Sequence, residues 1–216
     1  MIQAVLFDLD GTFADTAPDL GYAVNQMRKA RNLPPVPDEK TRPVTSSGAR
    51  GLLGAGFGIT PDHADYPAMR DEFLNLYEAN LCRETRLFDG MAQLINSLET
   101  RGLPWGIVTN KAERFALPLM SLLGYGKRAA CIIGGDTTGK MKPHPDPLYA
   151  AAHRLSVAPQ ACLYVGDDER DVQAGRAAGM KTVAVRYGYL NGSDPAAWGA
   201  DAVISVPLEL LNQMQL

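Results

Sequence analysis

Ala4-Val5-Leu6-Phe7-Asp8-Leu9-Asp10-Gly11-Thr12 decides how the rest of this chain is read. Four apolar residues make a short buried strand, and two carboxylates follow, two positions apart. Side chains alternate along a strand, so Asp8 and Asp10 share a face only where extended geometry continues. Gly11 ends it, which leaves both carboxylates where strand gives way to loop. In an open α/β sheet, ligands bind at that carboxyl edge. Paired acids there point to a bound metal, to a carboxylate nucleophile with an acid/base neighbour, or to both. An Asp-Gly turn after an ordinary strand is the plainer alternative.

Three later segments repeat the same grammar of an apolar run ending in polar residues. Trp105-Gly106-Ile107-Val108 runs into Thr109-Asn110-Lys111. Cys162-Leu163-Tyr164-Val165 runs into Gly166-Asp167-Asp168-Glu169-Arg170-Asp171. Between them, Lys142-Pro143 sets a lysine ahead of alternating prolines. If the strands are parallel neighbours, their ends converge on carboxylates, a hydroxyl and an ammonium. Such a set suits magnesium-assisted phosphoryl chemistry. Taken singly, each segment has a bland reading: a helix cap at Asp167-Asp168, a turn at Thr109-Asn110, a surface lysine at Lys142.

Periodicity places these segments in one architecture. Residues 2–8 read as the first strand. From about Asp15 to Arg86 the pattern is helical, with helices expected near 17–31, 39–56 and 64–82 and no convincing strand. From Phe88 onward helix and strand alternate. Strands are expected at 104–109, 130–133, 162–166, 181–185 and 201–204. The helices expected among them lie near 90–101, 112–123, 146–155 and 169–178. Such alternation predicts an α/β fold: a doubly wound parallel sheet with helices on both faces. The helical block interrupts it after the first strand. The expected division is therefore a core of residues 1–14 and 88–216 with a small helical domain at 15–87.

Bulk properties exclude several classes. The chain has 216 residues, with 46% hydrophobic and 21% charged, as in ordinary globular proteins. A net charge of −3 and scattered basic residues give no nucleic-acid footprint. No apolar run is long enough to span a bilayer, and the first strand begins at once, without a signal peptide, so the expected location is the cytoplasm. The three cysteines, Cys82, Cys131 and Cys162, lack metal-site spacing. His63, His144 and His153 are dispersed. Gly134 to Lys140 matches the first part of a phosphate-binding loop, but Met141 stands where a Ser or Thr is required and prolines block the helix.

At the motif residues the chain resembles the haloacid dehalogenase-like (HAD) phosphatase superfamily. Asp8 to Thr12 resembles its Asp-x-Asp-Gly-Thr motif, and Thr109 its strand-end hydroxyl. Lys142-Pro143 resembles its lysine motif, and Asp167 with Asp171 its Gly-Asp-x-x-x-Asp motif. All four occur in family order. The resemblance implies that Asp8 is the nucleophile and that Asp10 is the acid and then the base. It implies that Thr109 binds the phosphate and that Lys142 balances charge. Mg2+ would be held by Asp8, the backbone carbonyl of Asp10 and Asp167. Asp171 would orient Lys142 or a metal-bound water, and Asp168 would either reach the metal through water or cap a helix. Gly11, Thr12 and Asn110 are placed with the substrate phosphate, and the helical insertion becomes a cap over the site.

Within that superfamily the chain is most similar to the phosphoglycolate phosphatase branch. Ser46-Ser47-Gly48-Ala49-Arg50, the Trp105 to Lys111 segment and Val185-Arg186-Tyr187-Gly188-Tyr189 resemble bacterial N-acetylmuramic acid 6-phosphate phosphatases. The implied substrate is a small phosphate ester, 2-phosphoglycolate or N-acetylmuramic acid 6-phosphate, and the implied assembly a monomer or homodimer. Dehalogenases of this superfamily lack Asp10. Sugar-phosphate mutases usually carry an apolar residue at the Thr12 position. A mutase, or a non-catalytic regulator on this fold, is the alternative. Arg50, near a helix start behind Ser46 or Ser47, is a candidate reader of substrate charge, set against an ordinary surface arginine.

Overall fold

The computed structural model describes residues 1–213. After β1 (Ala4–Phe7) and β2 (Ala14–Asp15) come four helices, α1 (Ala17–Ala30), α2 (Asp38–Thr41), α3 (Gly48–Phe57) and α4 (Tyr66–Glu78). β3 (Arg86–Leu87) and α5 (Met91–Thr100) lead into β4 (Trp105–Val108), α6 (Glu113–Leu122) and β5 (Cys131–Ile133). α7 (Asp146–Leu155), β6 (Cys162–Gly166), α8 (Glu169–Ala177) and β7 (Lys181–Val185) follow. β8 (Ala202–Ile204) and a short α9 (Leu210–Gln213) close the described chain. Residues 214–216 of the expected core segment lie outside the described residues.

Six strands form one parallel sheet in the order β5-β4-β1-β6-β7-β8. The doubly wound sheet is thus as the alternation predicted. Its strands are apolar on both faces because helices cover both. Val5 and Phe7 of β1 point into one core with α5 and α6, whereas Ala4 and Leu6 point into the other with α7 and α8. β6 divides the same way: Leu163 and Val165 enter the first core, Cys162 and Tyr164 the second. The chain leaves β1 for β4 on one side and returns to β6 on the other. β1 is therefore the point where strand order reverses, and a crevice opens at the carboxyl ends of β4, β1 and β6.

The helical block differs from expectation in two places. The expected helix at 39–56 is α2, a 3-10 turn over Arg42–Ser47 and then α3. Pro43 has no amide hydrogen to continue an α-helix, and Gly48 turns the backbone to φ +58°. Between 15 and 87, where no strand was expected, β2 and β3 pair antiparallel, Ala14 opposite Leu87 and Asp15 opposite Arg86. Two residues per strand are too short to leave a hydrophobic period. This ribbon brackets the helices, which have their own core of Leu20, Val24, Met27, Leu52, Phe73 and Tyr77. Phe115 of α6 joins that core from the other side.

Candidate active site

Asp8 follows the last residue of β1, Thr109 the last of β4, and Asp167 the last of β6. Strand register brings them together because Phe7 lies beside Ile107 on one side and Val165 on the other. Lys142 arrives from the loop between β5 and α7. Its ammonium donates to Asp8 Oδ1 at 2.8 Å, Asp171 Oδ1 at 2.7 Å, the Tyr164 hydroxyl at 2.7 Å and the Val108 carbonyl at 3.0 Å. The side chain is 3% exposed. Burial opposes its charge, but Asp171 and Asp8 outweigh burial and hold the ammonium above its ordinary range. Asp171 also caps the backbone of Asp168 through Oδ2 at 3.1 Å, so its carboxylate is fully engaged.

Asp8, Asp167 and Asp171 offer oxygens within 4.8 Å of one another. Burial pushes Asp8 up to about 7, against the pull of Lys142. Burial, then the charges of Asp8 and Asp171, raise Asp167 well above the carboxylate range. Buried carboxylates outnumber the one ammonium among them, and their donor atoms are hard oxygens. A divalent cation such as Mg2+ fits this chemistry. Asp171 is committed to Lys142 and Tyr164, which leaves Asp8 and Asp167 as the side chains best able to hold the ion. The carboxylate of Asp10 is engaged elsewhere. Its Oδ1 accepts from Lys111 Nζ at 2.6 Å and from Thr16 Oγ at 2.5 Å, while the side chain lines the cavity.

The remaining candidate residues divide. Thr109 lines the cavity, and its hydroxyl accepts from the Lys111 amide at 3.1 Å. Asn110 also lines it, but its amide group spans the Lys142 backbone, accepting from N and donating to O, both at 3.0 Å. Its place is behind the lysine. Thr12, expected near the substrate phosphate, is fully buried and donates to Asp167 Oδ1 at 2.9 Å. Gly11, also expected near substrate, packs against Asp167 at φ +84°, where an added Cβ would lie 2.2 Å from Asp167 Oδ2. Asp168 is the α8 cap, accepting from Arg170 N at 2.9 Å. Arg50 is exposed and absent from the cavity lining, because α3 turns it outward.

Several residues of the site were missed in the sequence. Arg170 pairs with Asp168 and donates to the Ser46 carbonyl at 2.9 Å, joining α8 to the helical block. Ser46 donates in turn to Asp167 Oδ2 at 3.3 Å. Tyr189 donates its amide to the same oxygen at 2.8 Å, while its hydroxyl accepts from the amides of Thr16 and Ala17 at the start of α1. Tyr164 lies on β6 three positions before Asp167, and in the sequence it reads as one more residue of an apolar strand. A cavity of about 380 Å³ lies between the strand ends and the helical block, with Ser46, Asp168 and Arg170 in its lining.

The family model for haloacid dehalogenase-like hydrolases matches residues 5–185. The chain belongs to the haloacid dehalogenase-like hydrolase family. It is 44% identical, over 98% of its own length and 94% of the relative's, to an N-acetylmuramic acid 6-phosphate phosphatase of Pseudomonas aeruginosa. It is 48% identical, over 96% of its length and 94% of the relative's, to a phosphoglycolate phosphatase of Xanthomonas campestris pv. campestris. The crystal structure of a predicted phosphoglycolate phosphatase from Haemophilus somnus 129PT superposes with a TM-score of 0.87 at 26% identity, covering 99% of this chain and 98% of that one. In this HAD hydrolase Asp8, Asp10, Thr109, Lys142 and Asp171 all line the cavity.

Proposed function

We propose that this HAD hydrolase is a Mg2+-dependent phosphatase that cleaves small phosphate monoesters through a phosphorylated Asp8. The observation that carries the reading is the Lys142 ammonium, 2.8 Å from Asp8 and 3% exposed, at the base of a cavity that Asp10 also lines. A buried carboxylate facing a fixed cation can attack an anionic phosphorus that free carboxylates in water repel. An Asp8 oxygen forms the new P–O bond, and the bond to the ester oxygen breaks. Asp10 gives that leaving oxygen its proton. It then takes a proton from the water that attacks the aspartyl-phosphate, which returns Asp8 and releases inorganic phosphate. Lys142 and the Thr109 hydroxyl balance charge on the phosphoryl oxygens, and Asn110, Tyr164 and Asp171 keep Lys142 in place. Asp8, Asp167 and the Asp10 carbonyl would hold Mg2+, which would supply charge neutralisation for the phosphoryl transfer.

Residues 15–87 act in this reading as a cap hinged at the β2–β3 ribbon, with residues 1–14 and 88–216 as the core. Relatives named for N-acetylmuramic acid 6-phosphate and for phosphoglycolate support these two esters as candidate substrates. The test is phosphate release from both esters and from p-nitrophenyl phosphate, with and without Mg2+. Asp8→Asn serves as the blank. Turnover that needs both Mg2+ and Asp8 is expected. Release that survives Asp8→Asn would discard the phosphoenzyme route, and conversion of a sugar phosphate to its isomer without phosphate release would identify a mutase.

A further inference from the structure

Asp10 is anchored by one of its two carboxylate oxygens. Lys111 Nζ at 2.6 Å and Thr16 Oγ at 2.5 Å both donate to Oδ1, and among the described residues no donor reaches Oδ2. Oδ2 is nonetheless not sealed in protein. The side chain is 15% exposed and lines the cavity. An oxygen already filled by two donors is a poor place from which to release a proton. Oδ1 is therefore the anchor, and Oδ2 is left for the chemistry. The last torsion of an aspartate is intrinsically broad, so a carboxylate that must present one chosen oxygen has to be held from outside.

Lys111 is built to do the holding. Its amide donates to Thr109 Oγ at 3.1 Å, and its carbonyl accepts from the Gly135 amide at 2.8 Å. The second bond needs two loops in close approach, and a Cβ on Gly135 would collide with the Asn110 carbonyl. The side chain is 8% exposed, with its ammonium 4.7 Å from the centre of the Tyr77 ring. Surface lysines leave the ammonium in water on a mobile stem. Here the backbone is tied at both ends, the stem is covered, and Asp10 is the carboxylate that the charge meets.

We propose that Lys111 is a positioning residue for proton transfer, pinning Asp10 Oδ1 so that Oδ2 meets the leaving ester oxygen. This rests on the phosphatase reading above. As the P–O bond breaks, its electron pair stays on the ester oxygen, which takes the proton from Oδ2. Oδ2 then takes a proton from the water that attacks the aspartyl-phosphate, and Asp10 is restored. Lys111 gives up no proton in either step.

Lys111→Met removes the ammonium and leaves the amide on Thr109 in place. The readout is a ratio: kcat/KM for an ester with an alkoxide leaving group, divided by kcat/KM for p-nitrophenyl phosphate, whose phenolate departs without a proton. Because kcat/KM ends at departure of the leaving group, the later water step does not enter it. Benzyl phosphate, 2-phosphoglycolate and N-acetylmuramic acid 6-phosphate supply the alkoxides. In Lys111→Met the ratio is expected to fall by about 10- to 100-fold, the cost of a general acid displaced by about 1 Å. Asp10→Asn should lower the same ratio, and adding Lys111→Met to it should change the ratio by less than about twofold, because nothing is left to position. An unchanged ratio in Lys111→Met overturns the proposal. A further fall of more than about twofold in the double variant also overturns it and puts the ammonium on the substrate. A fall confined to the two acids, with benzyl phosphate spared, does the same. Lys111→Gln is read in the same way where Lys111→Met does not fold. Absence of p-nitrophenyl phosphate turnover in the wild type, or an unchanged ratio in Asp10→Asn, would instead reject the phosphatase reading itself.

Discussion

Asp167 is held by its neighbours on every side. Thr12 and Ser46 donate hydroxyls to it, Tyr189 donates an amide, and Gly11 leaves room for its carboxylate. Such supports fix a ligating carboxylate in one orientation, and losing one typically weakens a metal site 10- to 100-fold. Thr12→Val keeps the shape and removes the donor. The Mg2+ concentration for half-maximal phosphate release should therefore rise by about 10- to 100-fold, with a smaller change in KM for the ester. An unchanged Mg2+ titration would assign Thr12 to packing alone. Lys142 shows the same logic in a cation, with four acceptors around one ammonium. Asp8, Asp10, Thr109, Asp167 and Asp171 were legible because each stands in or beside a polar break after an apolar run, and Lys142 because it precedes alternating prolines. Tyr77 and Arg170 were not, because an aromatic residue within a helical pattern reads as core and an arginine as surface.

Among the elements, the joint between α1 and the return segment before β3 depends on one carboxylate. Asp19 is 1% exposed and accepts from the amides of Arg83, Glu84 and Thr85 and from the Thr85 hydroxyl. Asp19→Ala strands those amides, and urea unfolding should show a loss of about 3 kcal/mol, with Asp19→Asn between it and the wild type. A loss below about 0.5 kcal/mol would mean that water replaces the carboxylate. A second joint is electrostatic. Glu99, at the end of α5, accepts from Arg128 at 2.7 Å and from the Trp105 indole at 3.1 Å. Arg128 first, and Trp105 after it, hold its carboxyl below the ordinary value of 4.5. Because the folded pKa is lowered, this contribution is complete above pH 4.5 and disappears as pH falls through the folded value. Both partners are about one-third exposed, so Glu99→Gln should cost only about 0.5 kcal/mol at pH 7. Unfolding curves at pH 3 should no longer separate the two proteins; a constant gap across that range would assign the effect to shape.

For the whole molecule, the carboxyl end of the sheet is the least comfortable region. Asp8 and Asp167 are both raised by burial, which marks charge that the polypeptide alone does not balance. A cation that binds the folded state alone should therefore stabilise it, by about 2.7 kcal/mol at one hundred times its Kd. In a chain of this length that corresponds to a Tm rise of roughly 5–10 °C with Mg2+, reversed by EDTA. Asp167→Asn should raise the metal-free Tm and flatten the Mg2+ response; a full response in that variant would move the ion away from Asp167. The sequence by itself determined the sheet, its helices on both faces, the helical insertion and the strand-end groups. Those features are written in local periodicity and in the punctuation after each apolar run. Only the tertiary structure decided that α3 turns Arg50 outward, that Thr12 and Asn110 serve Asp167 and Lys142, and that Tyr77 meets Lys111 across the cavity. Contacts such as Lys111 with Asp10 join residues about one hundred positions apart, and their distance is set by how the helical block packs on the sheet, which no local pattern encodes.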